Sequence, residues 1–382
     1  MIGISANKRE LLMKRILSLL LVFVTALSLC ACAPSAPSET ETETLTEEKI
    51  DTQINTEAGT DPQTDSTDSA SEVKDMENLV IACDQAHERV VVYDLEQYDG
   101  DLDRCEVWSF TPQFPARRCL SGVKYRENTV FGDVVIIVAS YGYAGIVKYP
   151  SKEVVWQTAS CGYNPHSVEI LPSGNLVTAS STDGILRLYC TSALLTGDKT
   201  KADTYKQYSL VGAHGALWDP ESQLLWAVGG PFLNGYAVSG EGVTEELVLM
   251  NGVGGSYPQS KGHHALSADL TDKNGLFISD ATLIYYDQEK NIFSTSFKGS
   301  RFFTNHADIK SFGNDAAGRY ILCATDDHTG KDLPWINESF ASWCTNEIYC
   351  YTPNGKGGYK ADKYVSGTCA YYKALPFVGT YR

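Results

Sequence analysis

HSVEILPSGNLVTASSTDGILRLYC, residues 166–190, holds three short apolar runs separated by two polar turns. Val168, Ile170 and Leu171 flank the polar Glu169, and a Pro-Ser-Gly-Asn turn at 172–175 follows. Leu176–Ala179 forms the second run, and after Ser-Thr-Asp-Gly at 181–184 the third begins at Ile185. Alternating apolar residues punctuated by Gly, Asn and Asp read as antiparallel strands joined by tight hairpins.

The unit recurs. HGALWDPESQLLWAVGGPFLNGYAV begins at His214, HALSADLTDKNGLFISDATLIYYD at His264 and HADIKSFGNDAAGRYILCAT at His306. One unit earlier, the stretch from Ser121 to Tyr149 keeps the pattern with serine in the histidine position. Earlier still, LVIACDQAHERVVVYDLE (79–96) supplies a second and third run without a first. Most units add a looser fourth strand, such as EVVWQTA at 153–159 or TEELVLM at 244–250. Four antiparallel strands in roughly 45 residues is the blade of a β-propeller. Six units predict an all-β, six-bladed propeller over residues 79–382. The C-terminal CAYYKALPF (369–377) supplies the missing inner strand and closes the ring. Structure within Thr329–Cys350 would make a seventh blade the alternative. No long 3.6-residue periodicity follows the N-terminal segment.

Residues 1–31 read as a lipoprotein signal peptide. Lys8, Arg9, Lys14 and Arg15 precede an apolar run, Ile16–Leu29, too short to span a bilayer comfortably. The run ends in Leu-Cys-Ala-Cys, which resembles the lipobox of bacterial lipoproteins with Cys32 as the lipidated residue. That resemblance implies a protein outside the cytoplasm, held to the bacterial cell membrane by lipid alone. Residues 32–78 form a tether with 13 acids against Lys49 and Lys74. Without aromatic residues it cannot bury enough apolar area to offset its chain entropy, so disorder is expected. The chain carries a net charge of −16, and no basic patch is available to neutralise phosphates, which argues against nucleic acid. A monomer is expected. Nine cysteines remain beyond Cys32, an odd number with no CxxC pair, and several sit within strand-like runs as small apolar residues.

CDQ (83–85) and NPHSVEILPSGNLVTASS (164–181) resemble a family of bacterial exported β-propellers carrying a domain of unknown function. That resemblance implies the fold and no activity. HSVEILPSGN is also similar to histidine–strand–Leu-Pro-x-Gly-Asn segments of arylsulfotransferases, six-bladed propellers with catalytic histidines in the central channel.

Propeller geometry places the start of each innermost strand at one mouth of that channel, beside the loops between second and third strands. His166, His214, His264 and His306 are therefore expected to ring one mouth. Three roles stay open: bracing neighbouring blades, gathering a divalent transition metal such as Mn or Zn as propeller-built lyases do, or acting on an anionic substrate. The same face should carry Asp84, Gln85, Tyr141, Tyr143, Asp183, Asp280 and Asp326, with Arg117, Arg118 and Lys124 as its nearest cations. Each has an ordinary turn-forming or solvated alternative, but together they form a concave polar mouth. The long insertion from Asp326 to Glu347 overhangs it, with Trp335, Phe340 and Trp343 placed to stack on sugar rings or to pin the loop. The absence of GxSxG, HExxH, DxDxDG and P-loop motifs sets aside serine hydrolase, zincin, EF-hand and NTPase chemistry. The functional expectation is a carbohydrate-like or small polar ligand at a histidine-lined mouth. A propeller enzyme, either a metal-assisted polysaccharide lyase or a histidine-dependent transferase, and a protein-interaction scaffold are the alternatives.

Overall fold

A computed structural model of the chain describes residues 76–260, 262–325 and 343–381. The signal segment, Cys32, the tether as far as residue 75, Asp326, Trp335 and Phe340 lie outside the described residues.

Six four-stranded antiparallel sheets form a six-bladed β-propeller. Blade one pairs the C-terminal strand Tyr371–Pro376 with Leu79–Asp84, followed by Arg89–Asp94 and Glu106–Phe110. The last strand of the chain thus completes the first sheet, as expected. The innermost strands of blades two to six are Leu120–Thr129, Pro165–Ile170, Ala213–Asp219, Ala265–Ala268 and Ile309–Asn314. Each touches the next, and Tyr371–Pro376 touches both Ile309–Asn314 and Leu120–Thr129, so the ring closes on itself.

Sheet position explains the sequence patterns. A second strand is covered on both faces by neighbouring blades, so Val134–Ala139 reads as an unbroken apolar run and is wholly buried. An outermost strand such as Tyr205–Ser209 is covered on one face only and alternates. The core is six apolar wedges, one between each pair of adjacent blades. Each buried Val, Leu, Ile or Phe contributes about 1.5–3 kcal/mol.

The Pro-Ser-Gly-Asn turn sits at the far end of its strand from His166. Gly174 holds φ +92°, a conformation that side chains other than glycine rarely adopt. Ser173 Oγ and Asn175 Nδ2 both donate to Glu245, at 2.7 and 2.8 Å, and dock the turn on blade four. All nine cysteines from Cys83 onward are free thiols, eight of them buried.

Candidate functional site

At the mouth of the channel, the innermost strands repeat one local device. The ladder to the second strand slips by a residue at Ser121, His166, His214 and Lys310. It slips again in the closing strand, where Tyr372 and Lys373 stand between Tyr371 and Ala374. A bulge of this kind re-aims a side chain. In blade five, His264 stands in the same place, directly before the strand, with its amide donating to Ser279 O at 2.7 Å. A small residue follows every one of these positions: Gly122, Ser167, Gly215, Ala265, Ser311 and Ala374.

Those small residues let the inner strands close up. A Cβ on Gly122 would lie 2.7 Å from His166 O, and one on Gly215 would lie 2.9 Å from Leu266 Cβ. Where the residue is serine, the hydroxyl crosses to the next blade: Ser167 Oγ accepts from Ala216 N at 3.1 Å, and Ser311 Oγ donates to Ala374 O at 2.7 Å.

The mouth is therefore ringed by Ser121, His166, His214, His264, Lys310 and Lys373. The imidazoles of His166 and His214 stack at 4.2 Å, and those of His214 and His264 meet edge to face at 5.7 Å. Lys310 Nζ lies 3.3 Å from His264 Nε2, and Lys373 Nζ donates to His166 O at 2.8 Å. Neither ammonium group forms an ion pair with a carboxylate among the described residues. Burial pushes His214 down to about 4 and, together with His214 and Lys373, holds His166 well below the ordinary imidazole range. His264 is lowered in the same way, by burial and then by Lys310. All three rings are neutral at pH 7. Burial also lowers Lys310, and it lowers Lys373 to about 7, with Lys124 and Lys310 adding to the effect.

The residues 49–340 match the family described as "Family of unknown function (DUF6528)". The chain belongs to that family. No curated protein matches it. Among solved structures, a dihydro-heme d1 dehydrogenase NirN, in complex with DHE, aligns at 11% identity over 77% of this chain, with a TM-score of 0.41. The chain spans only 55% of the length of that enzyme. A chain of the Mitotic Checkpoint Complex aligns at 10% identity over 77% of this chain and 76% of its own, with a TM-score of 0.44. Neither likeness bears on what the DUF6528 propeller binds.

Sequence alignment on histidine misplaces blade six. His306 precedes the inner strand by a turn and lies 2.6 Å from the hydroxyl of Tyr351, on the third strand of its blade. Lys310 holds the ring position instead, 46 residues on from His264. Lys373, in the closing strand, was missed for the same reason. The signal common to all six is a residue re-aimed by a bulge or strand start and followed by Gly, Ala or Ser, visible in IKSFG and YKALP once histidine is no longer required.

Other candidates of the DUF6528 mouth divide into braces and exposed groups. Asp84 is fully buried and accepts from the amides of Ala86, His87 and Ala370, from Arg89 Nε at 3.1 Å, and pairs with His87 Nδ1 at 2.6 Å. Gln85 donates to Leu120 O at 2.8 Å and accepts from Trp343 Nε1 at 3.0 Å, which ties Trp343 to blade one. Tyr143 is a correction: its ring is wholly buried in the wedge between blades one and two, against Phe114, because it begins a third strand covered on both faces. Asp280 accepts from Ser260 Oγ and lies 3.1 Å from His263 Nδ1. Ser260 approaches that same nitrogen, at 3.2 Å, so the three form a clasp and not a nucleophile relay. Asp183 is exposed and accepts from Tyr163 N at 2.9 Å; Tyr141 is exposed too. Arg117 and Arg118 pair with Glu88.

Lys124 lies three residues past Ser121, one level deeper in the channel. Its ammonium and the Arg126 guanidinium converge on the buried Glu169, at 2.9 and 2.7 Å. Burial lowers Lys124 to about 8, while Glu169, despite its burial, is held below its ordinary range by Arg126 and Lys124. A cavity of about 70 Å³ lies beside this cluster, lined also by Leu217, Ser267, Asn314 and Tyr381.

Proposed function

We propose that this propeller binds a small, carbohydrate-like ligand through an anionic group, a carboxylate or a similar oxyanion, seated at the channel mouth. The observation that carries the reading is the pair of buried, ring-facing ammonium groups, Lys310 and Lys373, that lack a carboxylate partner among the described residues. A buried cation with no carboxylate in contact is costly, even where Asp308 acts on Lys310 at longer range, and an incoming anion would relieve that cost. Each neutral imidazole has one nitrogen engaged, His166 Nδ1 with the Tyr372 hydroxyl, His214 Nδ1 with Gly212 O and His264 Nε2 with Lys310 Nζ, which leaves the other nitrogen to meet a sugar hydroxyl.

Two features favour an anion over a divalent cation. The ammonium groups would repel a metal, and the ring imidazoles supply no trio of ligand atoms within 4.8 Å of one another among the described residues. The trio that does meet this limit, Asp84, His87 and Cys369, already holds the Arg89 guanidinium, 3.1 Å from Asp84 and 3.8 Å from Cys369. Binding is favoured over acid–base catalysis because an imidazole held at about 4 is a weak base at neutral pH. The Leu-Cys-Ala-Cys segment ending at Cys32 supports display of this site outside the cytoplasm on a lipid anchor.

Calorimetry with the full-length protein tests the reading. Galacturonate should bind where galactose does not, and Lys310→Met or Lys373→Met should each weaken binding at least tenfold with the circular dichroism unchanged. Equal affinity for the two sugars, or unaltered binding by both variants, would overturn it.

A further inference from the structure

Blades two to four carry a run of exposed apolar side chains on the face that holds the mouth. Tyr141 is 49% exposed, Tyr163 74%, Val211 74% and Phe232 43%. None is needed to fill a wedge, and exposing them costs solvation that an isolated monomer gains nothing from. They lie on consecutive loops that lean on each other. Cys161 N donates to Gly142 O at 2.9 Å, Asn164 N to Ser140 O at 3.0 Å, Ser181 N to Asn164 O at 3.0 Å and Leu210 N to Gly184 O at 2.8 Å. The backbones of Gly212 and Gly230 then pack together, so close that a Cβ on Gly212 would lie 3.0 Å from Gly230 N. Tyr141, Tyr163, Val211 and Phe232 thus stand exposed on backbone-linked loops at the same end of the blades as His166, His214 and His264.

From this placement we infer that the ligand is an acidic oligosaccharide: one acidic sugar sits in the cationic ring, and the chain continues over Tyr141, Tyr163 and Phe232. The inference rests on the anion-binding reading above and adds the length and direction of the ligand. Aromatic rings present flat apolar faces that suit the C–H faces of pyranose rings while leaving the hydroxyls in water. The cationic ring selects the charge, since buried ammonium groups attract a carboxylate and not a neutral sugar. An acidic peptide would meet the same charge but lacks the flat repeating rings that this run fits.

The test uses full-length protein with galacturonate, trigalacturonate, maltotriose and triglutamate as probes. Trigalacturonate should bind at least tenfold more tightly than the monomer, and maltotriose and triglutamate weakly. Tyr163→Ala, Tyr141→Ala and Phe232→Ala should each lower trimer affinity roughly 3- to 10-fold and leave monomer affinity unchanged. A trimer that binds no more tightly than the monomer, trimer affinity insensitive to all three variants, or triglutamate as tight as trigalacturonate would overturn the inference and leave the mouth reading standing. Failure of the monomer itself to bind would overturn both.

Discussion

Lys373, two residues into the last strand of the chain, donates from Nζ to the backbone oxygen of His166, in blade three, at 2.8 Å. The strand that closes the ring therefore also reaches across the channel and delivers a cation to its mouth. Closure and the candidate site are one piece of architecture.

The position of Lys373 makes the site pH-dependent. Burial lowers its ammonium to about 7, so the charged form declines as pH rises through neutrality. Affinity for an anionic sugar should fall between pH 6 and pH 8.5, by up to about tenfold per unit above the midpoint, with proton uptake on binding. Without ligand the sign for stability is opposite. The unfolded lysine titrates near its ordinary value of 10.5, so between about 7 and 10.5 the unfolded chain holds the extra proton and stability rises with pH. Lys373→Met should flatten both trends, and at pH 7 it should stabilise the protein by about 1–4 kcal/mol in urea unfolding.

One level down, Glu169 neutralises two cations. Glu169→Gln leaves Lys124 and Arg126 buried without a carboxylate. The expected cost is about 3–5 kcal/mol in urea unfolding at pH 7, far more than Lys148→Ala should cost at the exposed pair with Glu153.

His306 and His264 separate the ring from its neighbours. His264→Ala should weaken galacturonate binding several-fold, since His264 lies 3.3 Å from Lys310 Nζ. His306→Ala should leave affinity unchanged and cost about 1 kcal/mol through the lost Tyr351 contact. Equal effects on calorimetric affinity would contradict the assignment of the ring.

Most of the fold was legible in the sequence, because propeller wedges force the same polarity pattern on every blade. Buried second strands such as Val134–Ala139, glycine turns and the orphan strand at 371–376 all carry that pattern plainly. The candidate site was legible in part. His166, His214 and His264 share a residue type and a position, whereas Lys310 and Lys373 share only the position, which a bulge fixes by backbone geometry. Tyr143 looked like a mouth residue because a tyrosine after a turn suits either a loop or the start of a buried strand. Only the neighbouring wedge decides between them.

A crystal of the full-length protein soaked in selenate, a heavy oxyanion visible by its anomalous scattering, tests the central claim most directly. An anomalous peak is expected inside the ring, from a selenate whose oxygens lie about 2.7–3.2 Å from the Nζ atoms of Lys310 and Lys373 and which galacturonate displaces. A ring without selenate, with galacturonate bound elsewhere on the propeller, would contradict it.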